Sequence, residues 1–187
     1  MTTSSVQIRV ATSADAELLA DLGARTLRDT FGPDQSSAQT HFLTLAFTPD
    51  GKSNDLADPQ AKFLIAEVDG EAAAYAKLRF GYSPPFLGAS SPMEIARFYT
   101  DSPWVGRGVA NVLMDGCLRV AADADCDFIW LDVWERNHRA IAFYEKWGFA
   151  TAGSEALGWT TMARSACHPV ACQPDVDETP PPAHTES

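Results

Sequence analysis

Apolar and polar positions along this chain change period several times, and each change marks an element. Val6 to Val10 (VQIRV) alternates apolar with polar, the two-residue period of a half-buried strand at or near a sheet edge. From Leu18 the period lengthens: Leu18, Leu19, Leu22, Leu27 and Phe31 share one broad helix face. Thr12 or Ser13 can cap that helix, and Asp15 falls in its first turn, where the helix dipole favours an acid. Gly32-Pro33 ends it. Asp34 reads as the cap of a second helix carrying Phe42, Leu43, Leu45 and Phe47, which Pro49-Asp50-Gly51 stops. Gly51 to Pro59 reads as a loop with one helical turn.

Lys62 to Val68 and Glu71 to Phe80 are two strand-like runs joined by Asp69-Gly70, the strongest short hairpin signal, and they are assigned to the middle of a sheet. Gly81 to Pro92, with prolines at 84, 85 and 92, reads as a long loop bordering a substrate opening. Met93 to Thr100 is a strand, Val105 to Ala121 a glycine-paired turn running into an amphipathic helix, and Asp127 to Val133 a second strand. Together they predict a strand, crossover helix, strand unit. Trp134 to Phe149 reads as a helix that puts Asn137, Ala140 or Ile141, and Tyr144 on one face. Phe149 to Ser154 and Leu157 to Arg164 read as a tightly joined closing strand pair, and the Pro- and acid-rich residues 165–187 as a disordered tail. Residues 1–164 are therefore expected to form one domain.

Composition narrows the function classes. The chain has 187 residues, 45% of them hydrophobic, with room for a proper core. No apolar run approaches the ~20 residues of a membrane span and MTTSSVQIRV carries no secretory apolar segment, so a cytoplasmic protein without a membrane partner is expected. A net charge of -11 argues against nucleic acid as a partner and suits a cationic one, although several of the acids fall in the tail. Cys117 and Cys126 sit where buried thiols sit. Cys167, His168 and Cys172 match no zinc spacing, so no metal is expected.

The chemistry concentrates at Gly106-Arg107-Gly108. Glycines without Cβ let backbone N–H groups converge, and a helix N-terminus follows directly, so the turn is a candidate cradle for an anionic group such as phosphate. The alternative is a plain loop entering a helix.

EIARFYTDSPWVGRGVANVL followed by LDVWERNHRAIAFYEKWGF resembles the GNAT superfamily of acetyl-CoA-dependent N-acetyltransferases. The family signature Q/R-x-x-G-x-G/A maps onto Val105 to Ala110: Gly108 and Ala110 match, and Val105 stands where Gln or Arg is usual. The resemblance covers about Val6 to Arg164. It implies an α/β fold with a mixed sheet of about seven strands, splayed at its middle and flanked by helices. It further implies that Val105, Gly106, Arg107, Gly108, Val109 and Ala110 hold the cofactor's pyrophosphate, and that Phe98, Tyr99 and Thr100 lie on a strand whose freed backbone groups dock the pantetheine arm and the thioester.

Tyr144 matches the family's acid for the departing thiolate; packing beside Phe143 and Trp147 is the alternative. Asn137 can bond the cofactor, cap its helix, or both. Glu94 stands where the histone-acetylating branch carries its general base, or else points into solvent, with Asp132 a weaker candidate and His138 expected to be exposed. The first two helices form a wall of the acceptor cleft in such proteins, which makes Asp29 and Asp34 candidates for recognising an amine.

The expected reaction is direct acetyl transfer from acetyl-CoA to a primary amine of a small molecule, such as a polyamine, in a ternary complex. RDTFG and VWERNHRAIAFYEKWGF resemble the bacterial polyamine-acetylating branch, whereas the short closing hairpin departs from it. That edge often serves substrate selection or dimer contacts, and a homodimer is left open. Acetylation of a protein N-terminus or lysine, and a non-catalytic acyl-CoA-binding regulatory module, are the alternatives.

Overall fold

A computed structural model describes residues 5–31, 47–155 and 159–165. Seven strands form one mixed sheet: β1 (Val6–Val10), β2 (Ala61–Val68), β3 (Glu71–Phe80), β4 (Pro92–Thr100), β5 (Phe128–Trp134), β6 (Ala150–Glu155) and β7 (Trp159–Ser165). Their order across the sheet is β1-β2-β3-β4-β5-β7-β6, and every pairing is antiparallel except β4 with β5. The β2–β3 hairpin turns on Asp69 and Gly70, both at positive φ (51° and 86°), the signature of a two-residue turn whose twist matches its strands. That hairpin sits toward the β1 edge. The middle of the sheet is β4, a correction to the expectation from sequence.

The described helices are α1 (Ala16–Phe31), α2 (Pro49–Ala57), α3 (Val109–Asp123) and α4 (His138–Lys146). The second corrects the sequence reading, which took Pro49-Asp50-Gly51 as a stop. Thr48 is in fact an N-cap whose hydroxyl accepts from the Gly51 amide at 3.1 Å, with Pro49 in the first turn, where its missing N–H costs nothing. The helix expected from Trp134 is shorter as well: Trp134 ends β5, and the Asn137 side chain accepts from the Ala140 amide at 3.1 Å to start α4. The expected helix between Asp34 and Phe47 lies almost wholly outside the described residues, as does the tail from residue 166.

Helices cover both sheet faces. On one, Val109, Leu113, Met114, Cys117 and Ala121 of α3 pack on alternate residues of β2 to β5, such as Leu64, Ala76, Leu78, Met93 and Ile129. Tyr144 of α4 joins this face. On the other, Leu19 and Leu22 of α1 pack with Phe47, Phe63, Ile65 and Tyr75. Among the described residues no helix is long and apolar enough to cross a membrane.

The centre of the sheet carries two irregularities. The β3–β4 register steps from Lys77↔Arg97 to Leu78↔Ile95, which leaves Ala96 as the extra residue of a bulge in β4. Parallel β4 and β5 then share only three rungs, Pro92↔Phe128, Met93↔Ile129 and Glu94↔Trp130, and part beyond them.

Candidate active site

The parting of β4 and β5 opens a cleft of about 810 Å³ between the two faces of the sheet. Because successive strand residues alternate sides, the cleft has two chemically different walls. Phe98 points toward the α3 face, where it packs with Phe143 and Tyr144 at ring separations of 5.7 and 6.2 Å. Glu94, Arg97 and Tyr99 belong to the α1 face, where Tyr99 lies 5.7 Å from the ring of Tyr75. Beyond Glu94 the side of β4 that would pair with β5 has no strand partner, so the backbone of Ala96, Phe98 and Thr100 borders the cleft.

At one end stands the glycine turn. Gly106 and Gly108 have φ of 80° and 84°, and an added Cβ at either would meet nothing within 4 Å. The glycines are therefore required by conformation, and the space above them is open. The Val105 amide donates to the Ser102 carbonyl at 3.3 Å and the Arg107 amide to the Trp104 carbonyl at 3.2 Å. Among the described residues no backbone carbonyl takes the amides of Gly106, Gly108, Val109 or Ala110. Four free donors at the start of α3 fit an anionic group such as a pyrophosphate.

The side chains of this turn divide differently. Val105, Gly106, Gly108 and Ala110 line the cleft, whereas Val109 is 1% exposed in the core and Arg107 stacks its guanidinium 5.6 Å from the Trp104 ring. What Val109 offers a ligand is its amide, and the Arg107 amide is already committed.

Tyr144 lies on the cleft wall, fixed by the end of its own helix. Gly148 adopts φ 81°, its amide donates to the Glu145 carbonyl, and the Phe149 amide reaches back to the Tyr144 carbonyl at 3.1 Å, closing a Schellman motif. Phe98, Phe143 and Phe149 surround the ring, so packing and exposure to the cleft coexist. Its hydroxyl has no hydrogen-bond partner among the described residues. Burial pushes its pKa well above that of an ordinary tyrosine, so the phenol keeps its proton at neutral pH. Asn137 also lines the cleft while capping α4, so its side-chain oxygen is occupied by the Ala140 amide.

On the opposite wall Glu94 is 8% exposed and bound by Arg79, with Nε at 2.6 Å and Nη2 at 2.5 Å. Burial raises its pKa, and the nearby charge of Asp132 adds to that, while Arg79 pulls the other way; the net direction is up. Asp132 is exposed in the cleft and accepts from Thr161 Oγ1 at 2.7 Å. His138 is exposed and does not line the cleft. Asp34 lies outside the described residues, and of Asp29 only the backbone, in α1, is described.

The loop between β3 and β4 borders the cleft through Tyr82 and Pro84. Asp127 accepts from the amides of Ser90 and Ser91 at 2.6 and 3.0 Å, and the ring of Phe86 covers Gly153 so closely that a Cβ there would sit 2.8 Å from it. Trp130 Nε1 donates to the Tyr82 carbonyl at 2.9 Å, which sets the Tyr82 ring over the cleft. Sequence reasoning missed several wall residues, among them Arg79, Tyr82, Arg97, Arg139 and Trp159. For Arg79, Arg97 and Trp159 the only signal is position on alternating strands, readable once the register is known, while Tyr82 lies in the loop after β3.

Comparison with known proteins identifies the family and the fold. The profile of the acetyltransferase (GNAT) family matches residues 24–149. An N-acetyltransferase of Mycobacterium bovis is 32% identical over 146 residues, 76% of this chain and 88% of that one. Another from Lactobacillus delbrueckii subsp. lactis is 30% identical over 128 residues, 68% of this chain and 74% of the other. PaiA N-acetyltransferase from Thermoplasma acidophilum, solved in complex with coenzyme A, shares the fold with a TM-score of 0.73 at 17% identity, over 86% of this chain and 99% of that one. The chain belongs to the acetyltransferase (GNAT) family, the N-acetyltransferases that draw their acetyl group from acetyl-CoA.

Proposed function

We propose that the chain acetylates a primary amine of a small molecule by direct attack in a ternary complex, with Tyr144 as acid and Glu94 as base. The observation that carries this reading is the parting of β4 from β5, because it joins the wall bearing Tyr144 to the wall bearing Glu94 through the plane of the sheet. Acetyl-CoA supplies the activated thioester. The free amides at Gly106, Gly108, Val109 and Ala110 would hold its pyrophosphate, Asn137 would add a side-chain contact, and backbone groups at Phe98 and Thr100 would hold the pantetheine arm and the carbonyl oxygen.

Glu94 takes the proton that the amine loses, through a bridging water, and its raised pKa makes the carboxylate a better acceptor than an ordinary glutamate. A backbone N–H on the freed edge of β4 stabilises charge developing on the carbonyl oxygen, a contribution of ~2.7–4 kcal/mol where the donor is well placed. Tyr144 gives its proton to the departing sulfur, a role that its retained proton suits. The reading is tested by thiol release from acetyl-CoA with and without added amines, the product being followed by mass spectrometry. Amine-dependent release with acetylated product supports it, and release that ignores the amine contradicts it.

The net charge of -11 suits a polyamine acceptor. The cleft wall does not add to that attraction, since Arg79, Arg97 and Arg139 outnumber Glu94 and Asp132.

A further inference from the structure

Several charges on the α1 side of the sheet are paired, but Arg97 and Asp132 in the cleft are not. Asp55 takes Lys77 at 2.7 Å and Lys52 at 3.4 Å, Glu94 takes Arg79, and Asp101 takes Arg25 at 3.2 Å. Half-buried Arg97 donates to the carbonyl of its own neighbour Ala96 at 2.6 Å and forms no ion pair among the described residues, although its charge reaches Glu94 and favours that carboxylate. Asp132 accepts one hydroxyl bond from Thr161 and meets no cation among the described residues. Both line the cleft, at comparable heights: Asp132 is two residues beyond the last shared rung on β5, and Arg97 is three beyond it on β4, one of those being the bulge residue. The strands have parted between them, so the two do not neutralise each other.

A guanidinium and a carboxylate that face one cleft without pairing are complementary to a molecule carrying both charges. We propose that the acceptor is an amino-acid-like amine, whose carboxylate is held by Arg97 and whose ammonium docks at Asp132 before Glu94 takes its proton. This rests on the acetyl-transfer reading above. Arg97 presents a planar fork of donors suited to a carboxylate. Around Asp132 the wall is aromatic: Trp130 and Trp134 flank it on β5, and Trp159 is the register partner of Trp134 on β7. Indole faces attract an ammonium and accept the carbon body of the acceptor. A polyamine would instead set a second cation against Arg97.

The test uses pairs of acceptors that differ only by the carboxylate: phenylalanine with phenethylamine, and lysine with cadaverine. Thiol release gives kcat/KM for each, and calorimetry on the protein saturated with CoA gives the affinity of each. The amino acid is expected to exceed its decarboxylated partner by about ten- to a hundredfold, in KM more than in kcat, as for a charge-assisted hydrogen-bond pair. Arg97→Gln lowers that ratio at least about tenfold, and Arg97→Lys restores part of it. Asp132→Asn weakens both members of a pair together, because both carry the ammonium. Unchanged melting of each variant excludes misfolding as the cause. A wild-type preference for the decarboxylated amine, or an unchanged ratio in Arg97→Gln, overturns the inference. Binding that depends on Arg97 without any thiol release upholds it and sinks the acetyl-transfer reading instead; neither binding nor release overturns both.

Discussion

Glu94 faces Trp130 on the last rung that β4 and β5 share, and the strands part immediately beyond it. The carboxylate therefore stands at the neck of the cleft, held from behind by Arg79 across the β3–β4 rung Arg79↔Glu94. In the proposed role of base Glu94 must be ionised, and its pKa is raised, so activity is expected to fall as pH drops through a value above the ordinary glutamate pKa of about 4.3. Arg79→Gln removes a cation that favours ionisation, so it is expected to move this acid limb of kcat/KM to higher pH. Glu94→Gln should lower kcat about a hundredfold and abolish the limb. A limb that survives in Glu94→Gln belongs to another group and removes Glu94 as the base.

At the other end of the cleft, Gly108 combines φ 84° with the amides of the glycine turn that no backbone carbonyl takes among the described residues. Gly108→Ala is expected to cost about 1–2 kcal/mol of stability by forcing a Cβ into left-handed backbone. Gly108→Asp adds a negative charge where a pyrophosphate would sit. Acetyl-CoA affinity by calorimetry should fall at least about tenfold further than in Gly108→Ala. Equal affinities in the two variants would show that strain alone matters and that no anion binds there.

Local signals were readable in the sequence where one residue type answers one backbone need. Asp69-Gly70 turns a hairpin because both positions take positive φ, and Gly106 and Gly108 take positive φ in the turn before α3. Asn137 reads as a cap because its side-chain oxygen suits the role. Pro49-Asp50-Gly51 misled because proline both ends helices and starts them; the Thr48 hydroxyl on the Gly51 amide decides the matter. Arg79, Arg97 and Trp159 were not readable as wall residues, since sheet order and a bulge at Ala96 bring them to Glu94 and Asp132 from distant parts of the chain. Whether a charge is paired depends on that register.

Stability at acid pH depends on a second ion pair, remote from the cleft. Asp15 accepts from Arg9 Nη1 and Nη2 at 2.9 and 2.8 Å and from the Thr12 amide at 2.7 Å, which tie the end of β1 to the start of α1. The Arg9 guanidinium holds the Asp15 carboxyl down at about 2, against an ordinary 3.8. A depressed folded pKa stabilises above the unfolded value, so this contribution is full above about pH 4 and fades as pH falls toward 2. At full value the shift is worth about 2 kcal/mol, reduced to about 1 by screening around the part-exposed Arg9. Asp15→Asn should lower the denaturation midpoint at pH 7 and narrow its gap from the wild type below pH 3. A gap independent of pH would mean that Asp15 acts through packing alone.

Tyr144 offers the most direct test of the proposed chemistry, because a single oxygen separates its packing role from its chemical one. Tyr144→Phe keeps the ring among Phe98, Phe143 and Phe149 and removes only the hydroxyl on the cleft wall. The measurement is amine-dependent thiol release beside acetyl-CoA affinity, in wild type and variant. The expected result is a loss of about a hundredfold in turnover with affinity within about threefold of wild type. Equal losses in both, or unchanged turnover, would contradict acid catalysis at the parting of β4 and β5.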